Sequence, residues 1–526
     1  MKYRKLDTFK MIFRQIGSLL IILGLTMTVP AIVSLIYSEY YSLVGFVISG
    51  LISMLTGGLL YYKIKSNYEP LKRHALIIAA MGWLSIAIMG SLPFIIIAYI
   101  SPLELLQGFI PAGADYHSSI FFFKNPLHAL FESMSGFTTT GLSMAVHEPS
   151  MGKGLLFYRH FIQWLGGAGF VVLTISILKQ PNGKVSYLLY NAESTGERLK
   201  TTIIETARSI WKVYTFLTLF CFLFLIAGIY FLLPEYSLAD NIFDAINHAM
   251  AGMSTGGFST LDNSIAEYQS QGAEILLLFP MILGALSLPF YVRVFNLKQY
   301  NQLWKDLQTK SLLILFVIGS LVLSIMLYIS GTVSEPFRIG IFQFVSALST
   351  TGWQTSDVHI WDSASVTFIV MAGMIVGGSL GATVGGVKII RVLILFKGLF
   401  WRIGGYFKSE ESVNVVTVNN HRLLPDEMNR ELASVSTFVF IYCVFLLLGT
   451  MIGYYTMGTG FTLKDALFES ASAQGTVGLS CGITKPGMSP LLELTFIFQM
   501  WAGRLEIIPL LVLFRSILFG TKPFLT

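Results

Sequence analysis

Four short stretches of the chain share one order of small and hydroxylated residues. They read S-G-F-T-T-T-G-L-S from Ser135, A-G-M-S-T-G-G-F-S from Ala251, S-A-L-S-T-T-G-W-Q from Ser346 and S-A-Q-G-T-V-G-L-S from Ser472. The seventh position is always glycine (Gly141, Gly257, Gly352, Gly478), and two residues earlier stands Thr139, Thr255, Thr350 or Thr476. A dehydrated K+ ion needs several oxygens in place of its water shell, and backbone carbonyls from four loops around one axis can supply them. The residues in position to do so are Thr138, Thr139, Thr140 and Gly141; Ser254, Thr255, Gly256 and Gly257; Ser349, Thr350, Thr351 and Gly352; and Gly475, Thr476, Val477 and Gly478. The ion would meet the carbonyls of Thr139, Thr140, Thr255, Gly256, Thr350, Thr351, Thr476 and Val477. Carbonyls can all turn inward only if the backbone takes unusual angles, which glycine allows at φ > 0. A lone T-x-G is also a common turn or helix-packing element in membranes. Four aligned copies, each behind a short half-helix on the same side, are not.

Such loops need a scaffold, and the composition says which kind. The chain is 54% hydrophobic and 12% charged, against about 25% charged in soluble proteins. Apolar runs long enough to cross a membrane, about 20 residues, lie at roughly 15–37, 41–62, 75–100, 156–179, 211–233, 273–296, 311–330, 365–400, 433–456 and 491–518. Shorter runs at 126–138, 241–253, 338–350 and 465–475 cannot cross and end in Thr, Ser and Gly. They predict re-entrant half-helices, tolerated at membrane depth only beside protein or a water-filled cavity. Their C-terminal, partially negative ends would favour a cation. The expected fold is an all-α polytopic membrane protein: four pseudo-repeats of span, half-helix, filter loop and span around one pore, after two extra N-terminal spans. The divisions fall at 1–66 for the extra spans and at 67–185, 186–300, 301–410 and 411–526 for the repeats.

Of the 35 Lys and Arg, 28 fall on one side of this layout and six on the side of the half-helices. The excess marks the cytoplasmic face, so both termini are expected inside a cell membrane. The basic N-terminus is followed by an apolar stretch long enough to span and without a clear cleavage site. The +6 net charge is thus topological and implies no nucleic-acid partner. Cys221, Cys443 and Cys481 have neither disulfide nor metal spacing. No mid-span His/Asp/Glu cluster exists for catalysis, so an enzyme is not expected.

Other residues stand out. A continuous helix over 365–400 would be about 54 Å long, too long for a core of about 30 Å. Its middle, Gly377 to Gly386, holds five glycines in ten residues. It could be a break, a close-packed helix crossing or a phosphate-cradling loop, although no strand precedes it as a phosphate loop requires. Arg504, near the middle of the last span, is a costly charge that should face a cavity. It could be a positive barrier in the pore or a brace paired with Glu506 or a carbonyl. Lys388 could snorkel to the inner face. Glu132, His248, Gln343 and Glu469 hold equivalent places in the half-helices and could tune the ion's field or brace the helices. Asp244 and Asp465 are expected to cap half-helix N-termini.

With F-T-T-T-G-L-S, M-S-T-G-G-F-S-T, L-S-T-T-G-W and G-T-V-G-L-S in the loops, Q-W-L-G-G-A-G from Gln163, E-S-T-G-E-R-L-K from Glu193 and G-R-L-E from Gly503, the chain resembles the Trk/Ktr/HKT superfamily of potassium transporters, TrkH/TrkG branch, over nearly its whole length. The two extra spans fit that branch. The resemblance implies gated K+ uptake with K+ ions in the filter and no covalently bound cofactor. It implies a homodimer surrounded by lipid, with a cytoplasmic nucleotide-binding ring of the TrkA (RCK) type docked on segments 180–209 and 403–430. It also implies an intramembrane gating loop under the filter: Gly377, Gly378, Ser379, Gly381, Ala382, Thr383, Gly385, Gly386 and Lys388, facing Arg504. The alternative on this scaffold is a Na+ or mixed K+/Na+ transporter. In HKT relatives a serine at the first filter glycine goes with Na+; here it is Gly141. Loops two and four depart from the pattern at Gly256 and at Gly475-Thr476-Val477, which predicts a less sharp filter. The Asn-Gly filters of KdpA pump subunits do not occur.

Overall fold

The structure is a computed structural model that describes residues 5–64, 71–110, 116–170, 172, 200, 202–296, 298, 300, 305–361, 363–407, 415–418 and 421–520. Lipid being as apolar as a protein core, a spanning helix here needs only one packed face. Ile203–Leu232 shows the result: it buries Thr206, Ile210, Val213, Leu217, Cys221, Leu225 and Ile229, one helical stripe. Phe216, Leu219, Phe220 and Leu223 point outward.

Two helices precede the repeats. The first, Lys5–Thr26 continuing as Thr28–Ile36, packs against Tyr40–Gly58. Glycines permit the close approach: a Cβ on Gly17 would lie 2.7 Å from the Gly57 carbonyl oxygen, and one on Gly57 2.7 Å from that of Gly17.

The four repeats follow one plan. A long span (Lys72–Ile100, Ile203–Leu232, Leu307–Ser330, Pro425–Thr456) leads to a half-helix (Pro126–Phe137, Leu238–Met253, Pro336–Leu348, Leu463–Gly475), then a loop, then an inner helix (Lys153–Gly167, Gln271–Ala285, Ala364–Val376, Pro490–Arg504). Six helices among the described residues are long and apolar enough to cross. The ten continuous runs expected from hydropathy are therefore corrected at the inner helices, each of which stops or bends. The first ends at Gly167. The second turns by 90° before Leu288–Phe295. The third breaks at Gly377. The fourth breaks after Arg504, where Glu506 and Ile507 take φ of +57° and +65°. Hydropathy counts apolar residues and is blind to backbone breaks among them. Residues 173–199, with the motif from Glu193 and most of segment 180–209, lie outside the described residues, as do 408–414 and 419–420 of segment 403–430. That second segment includes a two-stranded hairpin, Val416–Val418 with His421–Leu423.

Glu39, buried in the turn between the two extra helices, joins them to the first repeat. Its carboxylate accepts the backbone N–H of Lys153 (2.6 Å) and of Gly154 (2.9 Å), capping the first inner helix from outside it. Losing a capping side chain costs about 1–2 kcal/mol. Glu39→Ala should lower the thermal unfolding midpoint in detergent, and Glu39→Gln, which keeps an acceptor, should lower it less. Equal midpoints for all three proteins would show that this contact does not hold the extra helices.

Candidate functional site

Each half-helix ends at the first residues of its loop, and the same backbone pattern follows four times. Thr139, Thr255, Thr350 and Thr476 have φ of +57°, +52°, +53° and +49°; Gly141, Gly257, Gly352 and Gly478 have +95°, +76°, +88° and +100°. Left-handed backbone costs a residue with a Cβ about 1–2 kcal/mol, so the loops hold their threonines in a strained form. Alternating handedness turns successive carbonyls to one side.

The four loops close into a ring. A Cβ on Gly141 would collide with the carbonyl oxygen of Gly256, one on Gly257 with that of Thr351, one on Gly352 with that of Val477, and one on Gly478 with that of Thr140. Every glycine thus faces the sixth-position carbonyl of the next loop, in chain order, and the fourth loop meets the first. All sixteen loop residues singled out in the sequence lie in this ring, and none is exposed. The Oγ of Ser135 and of Ser472 accepts the N–H of Gly141 and of Gly478, each at 3.0 Å.

Behind the ring, the four equivalent half-helix residues brace the chain as it leaves the ring. Glu132 accepts from Met144 N (2.8 Å) and Arg159 Nε (2.7 Å). His248 meets Tyr268 Oη (3.1 Å), Gln343 donates to Ser356 O (3.3 Å), and Glu469 accepts from Cys481 N (3.0 Å) and Thr484 N (2.9 Å). Asp465 forms a capping box with Thr462. Asp244 is not a cap: it lies well inside Leu238–Met253 and accepts from Thr260 Oγ1 at 2.7 Å, because its half-helix starts earlier than the apolar run suggests.

On one side the ring opens into a cavity of about 530 Å³ lined by all four ring glycines and by Glu148, Asp262, Asp357 and Arg159. On the other it meets the glycine-rich break. Thr383 Oγ1 lies 3.1 Å from Thr255 Oγ1, and Gly385 N donates to Thr350 Oγ1 at 3.0 Å. A Cβ on Gly385 would strike the Gly475 carbonyl and the Thr476 hydroxyl. Gly377, Gly381 and Gly386 have φ of +66°, +81° and +71°, which lets the chain fold back. Val387 N bonds Ile375 O (2.8 Å), and Ser379 N bonds Ala285 O (3.1 Å) at the bend of the second inner helix. The close-packed crossing is thereby replaced by a hairpin-like loop across the inner end of the ring.

Arg504 ends its helix rather than sitting inside a continuous span. Its guanidinium donates to Thr383 O (2.7 Å), to Gly167 O (2.8 Å), to Gly166 O and, at 3.4 Å, to Thr139 Oγ1. Glu506 pairs instead with Arg391. Lys388, buried and with φ of +75°, does not snorkel outward; its Nζ turns back to Val384 O within the loop. Arg504, Lys388 and Glu506 line a second cavity of about 310 Å³.

A family model described as TrkH, cation transport protein, matches residues 43–520. The chain belongs to the TrkH family. It is 31% identical to an uncharacterized cation transporter of Methanocaldococcus jannaschii over 506 residues, covering 96% of this chain and 95% of the relative. It is 28% identical to the Trk system potassium uptake protein TrkH of Escherichia coli, over 96% and 98% of the two chains. The crystal structure of the potassium transporter TrkH from Vibrio parahaemolyticus superposes with a TM-score of 0.77 at 25% identity, over 96% and 98% of the chains.

Sequence reasoning missed several residues of this TrkH-family site. Gly166, Gly284 and Gly503 leave room for the carbonyl ends of their own half-helices: a Cβ there would crowd Phe137 O, Gly252 O and Gln474 O. Aligning the inner helices as well as the loops could have found them. Glu148 gave no local signal, since it meets Arg159 of the following helix at 3.8 Å and lines the cavity with Asp262 of another repeat.

Glu148 lies outside the spans. Burial, with Asp262 and Glu132 adding and nearby Arg159 opposing, raises its carboxyl to about 7. An acid with a raised pKa is mostly charged only above that value, so negative charge appears at the cavity wall as the pH facing the cavity rises through about 7. Cation flux at subsaturating concentration should then rise a few-fold by electrostatic focusing. Glu148→Gln should flatten that rise in liposome flux measured against external pH; an unchanged profile removes Glu148 from the ion's path.

Proposed function

We propose that this chain takes up K+ through the ring of four loops, gated from below by the glycine-rich break. The observation that carries the reading is ring closure: every loop glycine abuts the sixth-position carbonyl of the next loop, so four of the eight carbonyls expected to meet the ion sit at the junctions of one ring. The potassium uptake named for relatives supports K+ as the cargo. Gly141 at the first filter position favours K+ over Na+. The five-part division of the chain, cytoplasmic termini, a homodimer and a nucleotide-binding ring of the TrkA type beneath it complete the proposal. The Lys and Arg distribution supports the orientation, and the Trk system naming of relatives supports a partner.

K+ would shed water at the outer cavity, pass the carbonyl cage and meet the loop at residues 377–388. There the loop occupies the exit and Arg504 adds a charge that no ordinary pH removes. A guanidinium bonded to carbonyls stays fully charged, so Arg504 is barrier and tether together. Opening requires the loop to leave Thr255, Thr350 and Arg504, and the glycines allow the backbone to turn.

Gly141→Ser forces a Cβ into the left-handed region, at about 1–2 kcal/mol, and against the Gly256 carbonyl. K+ over Na+ discrimination should fall by about tenfold, read as reversal potentials. Unchanged selectivity in serine variants of all four glycines would take these loops out of the pore.

Arg504→Ala and a short deletion within Gly381–Gly385 should each raise K+ flux in liposomes without any partner. The double variant should be less than additive if both act on one gate. Flat or reduced flux in both single variants, with the protein folded, would make Arg504 a structural brace and place the gate elsewhere.

A further inference from the structure

Loop two breaks the pattern at its sixth position, where Gly256 replaces the Thr140, Thr351 and Val477 of the other loops. The space is taken by Gln163, from the inner helix of the first repeat. A Cβ on Gly256 would lie 2.6 Å from Gln163 Oε1 and 2.8 Å from its Nε2. Gln163 is fully buried. Its Nε2 donates to the Gly256 carbonyl oxygen at 2.5 Å, and its Oε1 accepts the Phe258 N–H at 3.2 Å. That carbonyl is the one facing Gly141 where loops one and two meet. Among the described residues no side chain donates to the matching carbonyls of Thr140, Thr351 or Val477.

We propose that Gln163 tunes ion selectivity: by donating to the Gly256 carbonyl it weakens one of the four oxygens at that level of the ring. The inference rests on the reading of the ring as the filter. A carbonyl already engaged by an N–H presents less negative potential to an ion. A strong-field cage repays the dehydration of a small cation, whereas a weaker one favours the larger, less tightly hydrated cation. Gln163 therefore biases the ring toward K+ and Rb+ over Na+. The departure at Gly256 is the space this donor requires. Gln163 acts through the loop and is a positioning residue.

The test uses the full chain in liposomes, with relative permeabilities for Rb+, K+ and Na+. Gln163→Met removes the donor and should lower the K+/Na+ ratio by about threefold to tenfold, the ratio one hydrogen bond is worth. The Rb+/K+ ratio should move the same way. Gln163→Glu keeps the shape and the acceptor for Phe258. Burial favours its protonated form, which can donate like the amide, so ratios near wild type are expected at about pH 5 and a shift toward Na+ at about pH 9. A bracing role alone would give no such pH profile. Gly352→Ser serves as the control on the filter reading. Selectivity altered by Gly352→Ser but untouched by both Gln163 variants overturns this inference and spares the filter. Permeabilities that converge in Gln163→Met, with pH-independent ratios in Gln163→Glu, mark a brace and also overturn it. Selectivity unmoved by Gly352→Ser as well overturns the filter reading and the inference together.

Discussion

Irregular backbone at membrane depth cannot face lipid, so it must be enclosed by protein or line a water-filled cavity. This chain holds four such stretches in its ring loops and others at residues 377–388 and after Arg504, and much of the fold answers that constraint. The half-helices present their C-terminal ends to the ring. Ser135 and Ser472 take up the N–H groups of filter glycines. Glu132, His248, Gln343 and Glu469 hold the chain that leaves the loops. Trp353 reaches from loop three to the Phe258 carbonyl (3.0 Å), and Gln354 from loop three to Ser480 O (2.9 Å). These bonds between loops hold the strained threonines against relaxing into ordinary backbone.

Electrostatics divides the molecule along its axis. On one side of the ring Glu148, Asp262 and Asp357 line the cavity, and Arg159, which also lines it, is paired with Glu132 and lies 3.8 Å from Glu148. Inside the ring the balance reverses. Arg504 is bonded to carbonyl dipoles, which orient a cation without cancelling its charge. The nearby carboxylate, Glu506, is paired with Arg391. Carboxylates thus lie on one side of the ring, and on the other Arg504 is bonded to Thr383 of the break at residues 377–388.

The four loops were legible because their pattern is written four times in local sequence, and each copy corrects the reading of the others. The break at Gly377 was legible because its glycines are crowded. The break after Arg504 was not: Glu506 and Ile507 adopt positive φ with no glycine to announce it, under tertiary forces that leave no trace in an apolar run. The bend at Ser287 was hidden in the same way. Gln163 illustrates a further limit. Its partner lies 93 residues away, so Gly256 looked like a flaw in loop two until both residues were seen in place. Asp244 was misplaced because its half-helix extends beyond its apolar segment.

Ring closure within one chain also affects how the ring can change over generations. In a pore made of four identical subunits, one codon alters every quarter of the cage at once. Here Gly141, Gly257, Gly352 and Gly478 are separate codons, and each substitution touches one junction. Selection can therefore adjust this cage in steps of one quarter, retaining three working junctions while the fourth drifts, and the unequal sixth positions are the kind of record that such a history leaves.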